Sequence, residues 1–324
     1  MSGMQFYKKR DFAELMGDTF TFFKKFGKNY FKNFFLVNGI LMLILIVIML
    51  LFYRNIMGQI LGGNLQGETF LFEEYFQDNP VLLVISAVAV VLLVVAGMLV
   101  NYSFPVLYIR RLARTGNSNI KPDQIFDDIK KIIPKFLFFL LGTVFILVPA
   151  AIVLITLGSF LVLILIGVFV LLLIMPVIMN VINFTLYDTY NTNRGFFSSL
   201  SYALRAQFSY QNSNEGSPFW KYWGSTILIF LIYYIIVSVF SSVPMIFLMG
   251  SLYTLPPEQL TDGTAIQETF GLTFFIFYGL SVFVSLVLAN LVFVCSALQY
   301  YDSRTDLHRR IDFEEIDTIG VREA

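Results

Sequence analysis

The residues best placed to do chemistry in this sequence are three carboxylates, Glu73, Glu74 and Asp78, beside an aromatic lining supplied by "GETFLFEEYF". A close acid pair can hold a divalent cation, or divide acid and base roles in glycoside cleavage. A solvated acidic loop explains the same residues more simply and is preferred. Other chemistries lack their residues. Zinc, haem and non-haem iron sites draw on several His or Cys ligands, whereas the chain has one histidine, His308, and one cysteine, Cys295. Ser-His-Asp and Cys-His constellations need a positioned imidazole, and His308 lies in a charged tail. The sequence has no G-x-S-x-G, no G-x-x-x-x-G-K-[ST] and no G-x-G-x-x-G after a strand. Neither an enzyme nor a bound cofactor or metal is expected.

Polar residues inside apolar stretches suggest a second kind of site. Asn101, Asn180, Asn183 and Asn290 fall within "NYSFPVLYIRR", "NVINFTLYDTYN" and "ANLVFVCSALQYYDSR". Asn at membrane depth most often bonds across helices, contributing roughly 0.6–2 kcal/mol. A groove for a polar or amphipathic substrate is the sharper alternative. The pairs Arg110–Arg111 and Lys130–Lys131 can meet anionic headgroups, at about 1 kcal/mol per charge, or can serve only to orient the chain.

Six residues at the edges of apolar runs are expected to be interfacial anchors: Tyr30 and Lys32 in "YFKNFF", Lys135 in "IPKFLFF", and Trp220, Lys221 and Trp223 in "FWKYWG". Indole and phenol rings favour the headgroup level, and a lysine stem can lie on hydrocarbon with its ammonium among phosphates. Trp220 and Trp223, at i and i+3, share one helix face. Lys221 is expected to point towards headgroups. A ligand cage is the less favoured reading of the two indoles.

The elements that must carry these residues follow from composition. The chain is 57% hydrophobic and 14% charged, with mean hydropathy +0.74; soluble domains run roughly 45–50% apolar and about 25% charged. Twenty-two basic and 22 acidic residues balance, so charge gives no reason to expect a nucleic-acid partner. Six runs reach the length of about 20 residues that a spanning helix needs: Phe34–Tyr53, Val81–Ile109, Phe136–Leu157, Phe160–Tyr187, Ser225–Met249 and Leu272–Tyr300. The third and fourth are parted only by Gly158 and Ser159. Charged residues avoid the interiors of all six, and Pro105, Pro149, Pro176 and Pro244 are expected to kink their helices.

Basic residues set the orientation. Segments 1–33, 110–135, 188–224 and the tail after 300 carry 21 of the 22 lysines and arginines, Arg54 being the exception. Loops 55–80 and 250–271 carry seven acids and no base. The positive-inside rule then places both termini in the cytoplasm. The fold expected is all-α and polytopic: a single integral membrane domain over 1–324, built of three repeats of an amphipathic cytoplasmic helix plus a transmembrane hairpin. The units run about 8–109, 110–187 and 188–302, with a tail at 303–324. The amphipathic faces are Phe12, Leu15 or Met16, Phe20 and Phe23; Ile125, Ile129 and Ile132; and Phe197, Leu200, Leu204 and Phe208. Ser281, Ser285 and Ala289, and Gly97 with Asn101, form small-residue stripes of the kind that let helices approach.

The third unit, "GFFSSLSYALRAQFS…FWKYWGSTILIFLIYYIIVSVFSSVP", and the tail "ALQYYDSRTDLHRRIDFEEI" resemble bacterial YciC-like proteins and the membrane domain attached to some glycerophosphodiester phosphodiesterases. The opening "KKRDFAELMGDTFTFFKKFGKNYFKNFF" looks like the version found in Bacteroidetes. That resemblance implies a six-helix protein of the bacterial inner membrane, linked to envelope homeostasis. It carries over no phosphodiesterase activity, because no long polar segment could house the soluble barrel. A carotenoid-monooxygenase label given to some relatives is rejected, since that chemistry needs four histidines around iron. The function expected is therefore a scaffold, accessory subunit or lipid-organising element. Its expected partners are membrane lipids and, in the accessory role, a second membrane protein. The alternative is a transporter or flippase using the Asn-lined groove.

Overall fold

A computed structural model of the chain describes residues 4–61, 79–162, 165–208, 218–254 and 272–305, with backbone alone at 53–61, 83, 251–252 and 272–273. Glu73, Glu74, Asp78 and His308 lie outside the described residues. Every described element is helical: α1 (Phe12–Leu61), α2 (Pro80–Thr115), α3 (Pro122–Gly142), a π-turn (Thr143–Leu147), α4 (Val148–Val162), α5 (Ile166–Asn191), α6 (Phe196–Phe208), α7 (Phe219–Thr254) and α8 (Leu272–Ser303). Six helical stretches among them are long and apolar enough to cross a membrane. Helices suit that setting because each satisfies its own backbone groups where no water can. Ile40 is 78% exposed, Phe169 71% and Phe138 70%. Apolar surface so extensive fits a hydrocarbon solvent rather than water.

Local sequence explains where these helices begin and bend. Asp11 and Glu14 form a reciprocal capping box at the head of α1: the Glu14 N–H donates to Asp11 Oδ1 at 2.7 Å, and the Asp11 N–H to Glu14 Oε2 at 3.2 Å. At 50 residues, α1 is about 75 Å long, far more than a bilayer core of about 30 Å requires. The π-turn lies just before Pro149, which lacks an N–H and would crowd the carbonyl four residues back. The Val148 N–H reaches back five residues to Thr143 O, the wider turn that accommodates such a defect.

The chain divides into two compact units. One comprises 1–34, 103–231 and 290–324; the other comprises 35–102 and 232–289. Every lysine and arginine among the described side chains belongs to the first. The described side chains of the second include no Asp, Glu, Lys, Arg or His. Small residues and hydroxyls organise that second unit. Ser281 and Ser285 on α8 bond to Ser241 at 2.8 Å and Tyr233 at 2.6 Å on α7, and Phe247 stacks on Phe277 with centroids 4.8 Å apart. A Cβ at Gly97 would fall 2.2 Å from Leu45 Cδ1, so that glycine is a notch filled by a leucine. The stripes are packing faces.

The first unit departs from the expected pattern in two places. The turn between the third and fourth runs is not at Gly158–Ser159. Both residues sit inside α4, and α5 begins only after Leu165, which adopts φ 60°. Gly158 serves contact instead: a Cβ there would meet Leu171 Cδ2 at 2.6 Å, and one at Gly167 would meet Val162 N at 2.2 Å and Gly158 O at 2.3 Å. Two glycines let the hairpin arms touch backbone to backbone. The second departure is the face of α6. Phe197, Leu204 and Phe208 are exposed, while Phe196, Ser199, Tyr202, Ala203, Ala206 and Gln207 are buried. Phe197, Leu204 and Phe208 turn outward together with Ser198, Ser201 and Arg205, and mostly smaller and polar side chains turn inward. Ile125, Ile129 and Ile132 on α3 are all buried, whereas Phe12 and Phe20 at the head of α1 are exposed.

Candidate functional site

Two aspartates at helix C-terminal ends organise the charged unit. Asp302, near the end of α8, is 3% exposed. Its carboxylate accepts the Arg10 backbone N–H through Oδ1, and the Tyr222 hydroxyl through Oδ2. Lys221 Nζ donates to Oδ2 at 2.6 Å and to Arg10 O at 2.9 Å. The Arg10 guanidinium is buried as well. It pairs with Asp18 at 2.8 Å and donates to Phe6 O at 2.7 Å and Lys8 O at 3.1 Å. One carboxylate thereby ties the N-terminal segment, the start of α7 and the end of α8 together. A buried carboxylate is tolerated only when paired and hydrogen-bonded in this way.

Asp188, near the end of α5, is fully buried and held more loosely. Tyr300 OH donates to Oδ1 at 3.3 Å, Arg304 lies 3.5 Å from Oδ1, and Arg194 lies 3.6 Å from Oδ2. Both guanidinium carbons sit over the Tyr202 ring, at 5.3 and 5.5 Å from its centroid, within cation–π range. Burial pushes the Tyr202 phenol up to about 12, so its hydroxyl stays protonated beside Ser303 Oγ, 2.6 Å away. In the sequence, Tyr187–Asp188 and Tyr301–Asp302 stand out only as a sign of repetition. The stronger signal in each is an acid directly after an apolar run, followed by a base within a few residues.

Three of the four asparagines singled out in the sequence are occupied by partners on other helices. Asn290 Oδ1 accepts the Tyr30 hydroxyl at 2.6 Å, and Asn183 Nδ2 donates to Ser296 Oγ at 3.0 Å. Asn180 accepts from Thr226 Oγ1 at 2.7 Å and donates to Gln207 Oε1 at 3.2 Å. Gln299 extends the chain, donating to Thr226 Oγ1 at 2.9 Å and Ser225 Oγ at 2.8 Å. Asn180, Asn183 and Asn290 are thus buried in one unit on separate partners, and Asn101 belongs to the charge-free unit. Gln207 Nε2, Gln299 Oε1 and Ser199 Oγ are buried without partners among the described residues.

Of the six expected anchors, Tyr30 and Lys221 stand elsewhere. Tyr30 is fully buried, with its ring against Phe104 and Tyr108 at 5.1 and 4.9 Å. Neighbouring aromatic rings and the Asn290 carbonyl take the place of the headgroup layer. Lys221 is directed to Asp302 rather than to headgroups, because the buried carboxylate offers a stronger partner than solvent. Trp220 is 65% exposed and sets its ring edge-on to Trp223 at 5.6 Å. Lys32 is exposed, and Lys135 donates to Thr192 O at 2.7 Å. Trp223 Nε1 donates to Leu172 O at 3.1 Å. Residue 176, four positions on, is proline, so Leu172 O has no ordinary helical donor. The indole supplies it from the neighbouring helix, as a bilayer demands of a proline-interrupted helix.

The basic pairs separate by partner. Arg110 donates to Tyr190 O at 2.7 Å. Arg111 is paired with Asp128 at 2.8 Å, Lys130 lies 3.8 Å from Asp127 on the surface, and Lys131 is exposed. No protein-family model, no curated protein and no solved structure matches this chain.

Proposed function

We propose that the chain is a non-enzymatic multi-pass protein of the bacterial inner membrane, acting as a scaffold, accessory subunit or lipid-organising element in envelope homeostasis. Both termini are cytoplasmic in this reading, and the helices form three repeats of an amphipathic helix plus a transmembrane hairpin. Its partners are membrane lipids and, in the accessory role, another membrane protein. One observation carries the proposal: the polar side chains buried at Asp302, Asn180, Asn183 and Asn290 each bond to a residue of another helix. Such bonds fix helices in place, as a scaffold requires. The resemblance to YciC-like proteins supports the cellular setting.

Reconstitution tests it. In proteoliposomes containing a fluorescent phospholipid, the protein should leave scrambling between leaflets at the protein-free rate. Scrambling that Asn180→Leu and Asn183→Leu abolish would replace the scaffold with a flippase. The orphaned Gln207 Nε2 and Gln299 Oε1 beside the Asn180–Thr226 bond favour that second reading, since buried polar atoms generally have a partner, water included.

A further inference from the structure

We propose that Arg110, Arg114, Lys135 and Asn191 form a binding site for a phosphate group, carried by an anionic lipid headgroup or by a free phosphate. The lipid source rests on the lipid-organising role above; the site itself does not.

The geometry converges on the end of α5. Arg110 from α2 donates to Tyr190 O, and Lys135 from α3 donates to Thr192 O, both at 2.7 Å. Asn191 is the residue between those two carbonyls. Its Nδ2 is buried and has no hydrogen-bond partner among the described residues. The Tyr301 hydroxyl lies beside this amide and interacts with it, short of the distance and angle of a full hydrogen bond. Arg114, one helical turn beyond Arg110, lies within electrostatic reach of both Arg110 and Lys135. Among the described residues none of these three cations has a carboxylate at ion-pair distance; Asp128, the acid whose charge Arg110 feels, is bound to Arg111 at 2.8 Å.

Capping the end of α5 explains one N–H from Arg110 and one from Lys135. It leaves Arg114 and the Asn191 amide unexplained, and it gathers three positive charges around fractional negative ones. A phosphate supplies what is missing: full negative charge, an acceptor for Asn191, and oxygens matched to the remaining guanidinium donors. The next residues of α3 include Leu137 and Phe138, 45% and 70% exposed, an apolar surface against which acyl chains can lie. The site also revises the expected headgroup contacts. Arg110 stays, Arg111 and Lys130 have acidic neighbours of their own, and Arg114 and Lys135 join it.

Native mass spectrometry and thermal melting of the detergent-solubilised full chain test this with two probes, dioleoylphosphatidylglycerol and inorganic phosphate. The wild type should retain a stoichiometric anion. Arg114→Gln, which breaks no hydrogen bond among the described residues, should weaken retention about fivefold, the effect of one charge near a headgroup. Asn191→Leu should weaken it while the protein still melts cooperatively, and Lys130→Gln with Lys131→Gln should leave it unchanged. Retention of the lipid against excess phosphate assigns the headgroup. Displacement by phosphate, with melting raised by phosphate alone, assigns the free anion and removes the lipid role while keeping the site. Equal weakening by the Arg114 and Lys130/Lys131 variants, or none by Arg114→Gln, would overturn the proposal.

Discussion

Trp223 illustrates how a side chain chosen for one reason serves another. Its type and position mark a membrane interface, yet its N–H is committed to the carbonyl that Pro176 leaves open. Trp223→Phe should therefore destabilise the protein by about 1–3 kcal/mol, the cost of an unsatisfied carbonyl. In a Pro176→Ala background, where residue 176 regains its N–H, the same change should cost little. Thermal denaturation of the four proteins in detergent gives the coupling directly, and an equal cost in both backgrounds would assign Trp223 to the interface alone. Lys221 behaves similarly. Lys221→Met leaves Asp302 buried without its cation and should cost about 3–5 kcal/mol, most of it recovered when Asp302→Asn is added. The sequence makes both roles hard to see, because the partners, Leu172 O and Asp302, are 51 and 81 residues away. The identities of Tyr30 and Lys221 were clear; their partners were not.

Among the elements, the spans were legible because a soluble fold rarely calls for about 20 apolar residues in a row, whereas a bilayer requires them. The boundaries were less so. Glycine marks turns in water-soluble chains, so Gly158–Ser159 resembled a loop, but between membrane helices glycine more often makes room for a neighbour. Gly167→Ala should destabilise the α4–α5 hairpin by about 1–3 kcal/mol through overpacking, since its Cβ would strike backbone. Gly195→Ala, where nothing lies within 4 Å of the added Cβ, should stay within about 0.5 kcal/mol of the wild type. Comparable losses at both sites in a thermal melt would contradict the close approach. Which face of α6 is buried was not legible either: periodicity reveals that a helix has two faces but not which one its neighbours cover.

For the whole molecule, the separation of charge was readable directly, and the two compact units follow it, with charged side chains described in one alone. What the sequence concealed was that acids after apolar runs become buried anchors. The acid after an apolar run marks Asp188 and Asp302 as helix ends, and only tertiary contacts show that they are buried. Orientation in the membrane is the claim on which the scaffold, the repeats and the phosphate site's cytoplasmic placement all depend. Native Cys295, 1% exposed, is a silent background for single added cysteines. Labelling intact cells with an impermeant maleimide at Thr261→Cys and Ser118→Cys measures the orientation most directly. Labelling of the first from outside, and of the second only after permeabilisation, is the predicted result; the reverse pattern, or labelling of both from outside, would contradict a chain with its basic segments in the cytoplasm.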